Sequence, residues 1–138
     1  MTYLDTNVIV SYINEKDPLH EKALKVVNSL NKRTISKLVV LELYSVFSRV
    51  SGLQGLELDA LVEYSIEATK SELKDVDLNE AFSLAMEYSG ALKLKTLDLL
   101  HIIIASMIDD SIATFDNDII KREKEILKLL GIRVVKIP

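Results

Sequence analysis

Asp5, Glu42, Asp98 and Asp116 each interrupt a stretch of the chain that is otherwise apolar. Asp5 ends the run Thr2-Tyr-Leu4 and precedes Val8, Ile9, Val10, Tyr12 and Ile13, which fit a short buried helix. Asp116 follows Ile112-Ala-Thr-Phe115, and Asp118 stands two residues further on. Glu42 lies in the middle of residues 37–51, where Leu38, Val39, Val40, Leu41, Leu43 and Tyr44 predict a helix buried almost all round. Asp98 falls in the first turn of another apolar helix, with Thr96 reading as its N-cap. A carboxylate in such surroundings is costly unless it finds a cation, a hydrogen-bond network or a metal.

Each acid has an ordinary explanation when taken singly. Asp5, Asn7, Asp116 or Asp118 can cap the helix that follows it. Glu42 can pair with Arg49, and a first-turn Asp98 is favoured by the helix dipole. Together they say more. Acids gathered in a low-dielectric cleft repel one another unless cations intervene. Hard oxygen ligands suit Mg²⁺ or Mn²⁺, and such centres serve phosphoryl chemistry. His101 lies one turn beyond Asp98 on the same face, where a lone histidine is ordinarily a hydrogen-bonded core residue. His20 reads as solvated surface, and Met86 as core.

The elements that must position these residues follow from periodicity. Helices are expected over 19–30, 37–51, 56–69 and 79–89, from about 96 onward, and over 119–130. Short strands are expected at 2–4, 34–36, 72–77, 112–115 and 132–137, with Ser36 placed to cap the helix after it. Strands separated by helices imply parallel crossovers and a sheet covered on both faces. In such a sheet ligands sit beyond the carboxyl ends of the strands, which is where Asp5 and Asp116 fall.

The 138 residues are expected to form one domain, residues 1–138. With no cysteine there is no disulfide, thiolate metal site or cysteine nucleophile, in keeping with a cytoplasmic protein. No basic leader precedes an apolar stretch, so no signal peptide is expected. The longest apolar run, 99–108, is too short to span a bilayer, so no membrane partner is expected. The net charge of −4 weighs against a nucleic-acid partner, but that weight falls if a metal neutralises several of the acids.

Four stretches resemble the successive motifs of the PIN domain: Leu4-Asp-Thr-Asn-Val-Ile9, Glu42 in its apolar helix, Leu97-Asp-Leu-Leu-His-Ile-Ile-Ile-Ala105 and Ala113-Thr-Phe-Asp116. Their order and separations extend the resemblance over essentially the whole chain, and the short length is similar to the VapC-type toxin branch. The resemblance implies an α/β/α sandwich around a central parallel sheet of about five short strands. It also implies a Mg²⁺- or Mn²⁺-dependent endoribonuclease whose acids are Asp5, Glu42, Asp98 and Asp116. Asn7 and Thr114 match the supporting polar positions, and Asp118 competes with Asp116 for the fourth acidic place. An antitoxin partner and a homodimer are expected on the same ground, the homodimer also because the helices at 19–30 and 56–69 leave apolar residues to cover.

Two readings follow. In the first, the acids bind one or two Mg²⁺ or Mn²⁺ ions and RNA is hydrolysed in line, leaving a 5′-phosphate and a 3′-hydroxyl. Lys93, Lys95, Lys121 and Arg122 flank the acids in sequence and are the candidate RNA phosphate contacts. In the second, the chain is a non-catalytic PIN-like module that binds protein or RNA. Retention of all four acids counts against that alternative. An aspartyl phosphatase is a weaker third option, since the residue two beyond Asp5 is Asn7 rather than a second aspartate.

Overall fold

In a computed structural model describing residues 1–136, five parallel strands form one sheet with helices on both faces, an α/β/α sandwich. The chain runs β1 (Thr2–Leu4), α1 (Thr6–Ile13), α2 (His20–Ser29), β2 (Arg33–Ile35), α3 (Lys37–Ser51), α4 (Gly55–Ala68) and β3 (Ser71–Leu73). It continues through α5 (Leu78–Leu92), α6 (Thr96–Ile108), β4 (Ser111–Ala113), α7 (Asn117–Ile120), α8 (Glu123–Leu130) and β5 (Arg133–Val134). Among the described residues no helix is long and apolar enough to cross a membrane.

The strand order is β3-β2-β1-β4-β5. The chain builds outward from β1 to β2 and β3, then returns to place β4 on the other side of β1. That reversal opens a crevice at the carboxyl ends of β1 and β4. The register sets what meets there: Tyr3 pairs with Ile112 and Leu4 with Ala113, so Asp5 and Thr114 leave the sheet side by side. The Asp5 amide completes the ladder on the Ala113 carbonyl at 3.0 Å.

Strands this short hold because both faces are covered. Tyr3, Leu4, Ile35 and Ile112 are fully buried, as are Ile102, Ile103 and Ile104 of α6 and Val8 and Ile9 of α1. β1 and β4, the two strands that carry the crevice, are buried along their whole length.

Several elements differ from what periodicity predicts. Residues 72–77 alternate like a strand, yet β3 ends at Leu73. Asp77 instead caps α5, accepting from the amides of Asn79 and Glu80 at 2.9 and 3.2 Å. The expected helix 119–130 is broken at Lys121 and Arg122 into α7 and α8. Thr96 is the first residue of α6 rather than its cap. Of the last expected strand, 132–137, Arg133 and Val134 pair with β4, and Ile137 lies outside the described residues.

Helix α3 is not buried all round, because Leu41 and Val50 stand 65% and 75% exposed. Met86, expected in the core, is 71% exposed on α5. The reason is common to both: these helices pack by one face only, and their apolar residues continue onto the face turned away from the sheet.

Candidate active site

Asp5, Glu42, Asp98 and Asp116 line a single cleft of about 450 Å³, together with Thr6, Asn7 and His101. The cleft opens at the switch point between β1 and β4. Four separate elements deliver the acids: the end of β1, the middle of α3, the first turn of α6 and the loop after β4.

Asp5 and Asp116 act as caps as well as lining the cleft. Asp5 is the N-cap of α1, its Oδ1 accepting from the Thr6 amide at 2.7 Å. Asp116 is the N-cap of α7, accepting from the Asp118 amide at 2.8 Å. Capping draws each carboxylate to the positive end of a helix, which lies at the mouth of the crevice.

Thr114 joins the two. Its hydroxyl donates to Asp5 Oδ2 at 2.7 Å and accepts from the Asp116 amide at 3.0 Å. Asn7 acts in the same place through its side-chain oxygen, which accepts from the Phe115 amide at 3.2 Å. Both supporting positions therefore fix the β4–α7 loop against the start of α1.

Glu42 is held differently. It makes no ion pair with Arg49; its Oε1 accepts from the Thr6 hydroxyl at 2.8 Å and from His101 Nε2. His101 is 2% exposed, and its Nδ1 meets the Tyr3 hydroxyl at 2.8 Å. Tyr3 in turn is 2.7 Å from the Ser36 hydroxyl. Ser36 occupies the N-cap position of α3, but its side chain makes no capping bond there. His20, expected to be solvated, is partly covered, with its Nδ1 2.9 Å from the Ser11 carbonyl.

Thr6, Tyr3, Ser36 and the bond from His101 to Glu42 are not foreseen from sequence. One signal was present: a tyrosine within an apolar strand must bring a partner for its hydroxyl when buried.

The titration of these groups reflects the crowding. Burial pushes the Asp5 carboxyl up, against the opposing pull of His101 and Thr114. Burial would also raise Glu42, but the hydrogen bond and charge of His101, with the Thr6 bond, bring it below the usual carboxylate range. Burial alone would lower His101, yet the Glu42 hydrogen bond and the charges of Asp5, Glu42 and Asp98 raise it. Asp98 is pushed up to about 7, first by burial and then by its hydrogen bond to Asp116 and the negative charges of Asp116 and Asp5.

Ligand-type atoms fall into two neighbouring groups, Asp5 with Glu42 and His101, and Asp98 with Asp116 and Asp118. In each group the atoms lie within 4.8 Å of one another. Hard, mostly anionic donors crowded enough to hold back a proton on Asp98 fit a divalent cation such as Mg²⁺ or Mn²⁺. Asp118, exposed, also borders a second hollow of about 420 Å³ lined by Lys93, Lys95, Lys121 and Arg122. All four flanking cations thus meet at one place. Lys93 gets there in a left-handed conformation, φ 53°, at the end of α5, and Lys121 and Arg122 through the break between α7 and α8.

The raised Asp98 has a measurable consequence in metal-free protein. An acid whose folded-state pKa lies above its unfolded value gives stability that is intact at low pH and lost as pH rises through the folded value. In EDTA, Asp98→Asn should therefore melt a few degrees above the unsubstituted protein at about pH 8, the gap closing towards about pH 4. Thermal melts across that range check it. A gap that does not change with pH would show that the Asp98 carboxyl is not raised in the folded protein.

The PIN domain family profile matches residues 2–125. No curated protein sequence matches the chain. Among solved structures, VapC20 of Mycobacterium tuberculosis, a sarcin–ricin loop cleaving toxin, is similar with a TM-score of 0.69 at 16% identity, over 88% of this chain and 94% of that one. VapBC2 from Rickettsia felis, bound to a DNA fragment from their promoter, gives 0.66 at 20% identity over 100% of both chains. FitAcB from Neisseria gonorrhoeae gives 0.60 at 18%, over 99% of this chain and 97% of that one. At these identities the structural likeness is one of fold. The family itself is carried by the profile, which spans β1 to β4 and every cleft residue: the chain belongs to the PIN domain family.

Proposed function

We propose that this protein is a metal-dependent endoribonuclease of the VapC type, the toxin of a toxin–antitoxin pair, acting as one domain over residues 1–138 in the cytoplasm. The observation that carries the reading is the convergence of Asp5, Glu42, Asp98 and Asp116 on one cleft beside a hollow lined by four cations. The fold shared with VapC20, named as a sarcin–ricin loop cleaving toxin, supports it.

The acids are the proposed ligands of Mg²⁺ or Mn²⁺, with Asp118 completing the group around Asp98 and Asp116. A bound divalent ion supplies charge stabilisation for the phosphodiester and a more acidic attacking water. The chain does the rest. Thr6 and His101 hold Glu42 in place, Thr114 ties Asp5 to the Asp116 loop, and Asn7 fixes that loop from the other side. Lys93, Lys95, Lys121 and Arg122 take RNA phosphates to one side of the scissile bond.

Incubation of the purified protein with structured and unstructured RNAs tests the core of this. Cleavage is expected with Mg²⁺ or Mn²⁺ and none in EDTA, and Glu42→Gln should slow it by on the order of 100-fold, the scale of removing one charge interaction from the transition state. Cleavage that persists in EDTA would remove the metal mechanism. RNA binding without cleavage in Mn²⁺ would favour the non-catalytic alternative.

The cations make a separate claim. Lys93→Ala with Lys121→Ala should raise KM and leave kcat nearly unchanged. The slope of log affinity against log salt should fall by about 1 for each phosphate that no longer meets a lysine. An unchanged salt slope would return these lysines to the ordinary surface.

The homodimer rests on uncovered apolar surface. It lies on α3, α4 and α5 rather than on α2, with Leu41, Val50, Leu56, Tyr64, Phe82 and Met86 between 48% and 85% exposed. Contiguous apolar patches larger than a few hundred Å² are rare on monomers. Light scattering at micromolar concentration should give the mass of two chains, and Leu41→Glu should return a single chain. A monomeric parent protein at tens of micromolar would dispose of the idea.

A further inference from the structure

His101 has more to do with the cleft than a core histidine would. Its neighbours on α6, from Leu99 to Ala105, are apolar and buried. A neutral, satisfied imidazole in such a run needs only backbone or hydroxyl partners, and the Tyr3 hydroxyl already provides one at Nδ1. The second nitrogen, Nε2, nevertheless reaches a part-buried carboxylate in the cleft, Glu42, and lies 3.8 Å from Asp5 Oδ1.

The chain Ser36–Tyr3–His101–Glu42 is built from the same elements that carry the acids. Tyr3 and Asp5 share one side of β1 by the two-residue strand period. Asp98 and His101 share one face of α6 at i, i+3. Ser36 and Glu42 belong to the start and middle of α3. Each of these three elements therefore contributes to the relay.

We propose that His101 is a positioning residue for the metal centre: its Nε2–H, with the ring held by the Ser36–Tyr3 pair, fixes the Glu42 carboxylate beside Asp5. The ionised carboxylate can only accept, so the proton must sit on Nε2. That holds for the neutral ring, whose Nδ1 accepts from Tyr3, and for the charged ring, which donates at both nitrogens. The bonds from His101 and Thr6 both end on Glu42 Oε1, and none reaches Oε2 among the described residues. Orientation through one oxygen leaves the other for the ion. Partners of this kind, one bond behind the ligands, set ligand geometry and metal affinity.

The inference rests on the metal-dependent reading, so its test uses Mn²⁺ alone on RNA-free protein. Binding is followed by the electron paramagnetic resonance of free Mn²⁺, and electron spin echo modulation reports any nitrogen bound to the ion. His101→Leu should weaken Mn²⁺ binding by about 10- to 100-fold, with Tyr3→Phe in between and His101→Gln, which keeps an N–H donor at a similar reach, within a few-fold of the parent. No directly bound nitrogen should be seen in the parent protein.

Unchanged Mn²⁺ affinity in His101→Leu, or in Tyr3→Phe where the leucine variant does not fold, would make His101 a core residue only. Strong nitrogen modulation in the parent would make it a ligand, which also overturns the positioning role. A parent protein that binds no Mn²⁺ at all would overturn the metal-dependent reading itself, and this inference with it. That outcome is distinct from the others because it appears before any substitution is made.

Discussion

Like charges brought together at the end of a parallel sheet dominate this molecule. Two carboxylates about 4 Å apart repel by about 4 kcal/mol at the effective dielectric of a protein surface. The fold holds four of them at one cleft, and it deals with each differently. Glu42 is tied to His101 and Thr6. Asp5, which is buried, accepts bonds from the Thr6 amide and the Thr114 hydroxyl. Asp98, with Asp116 against it, keeps its proton up to about pH 7. The cleft is thus held by hydrogen bonds from its own walls and by the proton on Asp98. A cation of the right size would relieve what these devices only offset.

The devices are local, and two of them are caps. α1 has eight residues and α7 four, too few to be stable helices without tertiary support. Asp5 and Asp116 supply a side-chain bond at the N-terminus of each. The same bond fixes where the carboxylate stands, so helix initiation and site construction are one event. Ser36 makes the opposite choice. A capping serine is worth about 1 kcal/mol, yet at the head of α3 its hydroxyl is turned to Tyr3. Local helix stability is given up where a longer-range link between β1, α3 and α6 gains from it.

What the sequence makes legible follows from this. Asp5, Glu42, Asp98 and Asp116 are visible because charges in apolar runs violate the pattern around them. The parallel sheet is visible because strands and helices alternate. Of the groups that support the acids, Thr114 and Asn7 are reached through the family resemblance. Thr6, Ser36 and Tyr3 are not visible, because they violate nothing: a threonine after a cap, a serine before a helix and a tyrosine in a strand are each ordinary. Capping by Asp5 and its place in the cleft look like rival roles in the sequence, and the structure satisfies both. Residues 72–77 alternate like a strand, but their fourth and sixth members, Asp75 and Asp77, are better used off the sheet, Asp77 as a cap. The break at Lys121 and Arg122 has no glycine or proline to announce it.

That break matters for the charge argument. A net charge of −4 describes a protein that should repel a polyanion, but net charge is the wrong scale for a cleft. One continuous helix from 117 to 130 would carry Lys121 and Arg122 on as part of a regular surface. The turn between α7 and α8 instead sets them against the α5–α6 connection, where Lys93 and Lys95 lie. Potential in a concave, low-dielectric surface is set by the nearest few charges, and more distant ones are screened within about 10 Å at ordinary ionic strength. The acids and the cations are thereby separated into adjoining hollows, with Asp118 on the border between them. The acidic side can concentrate a divalent ion and the basic side an anionic backbone, and neither has to be neutralised by the other. A surface with the same residues evenly mixed would do neither.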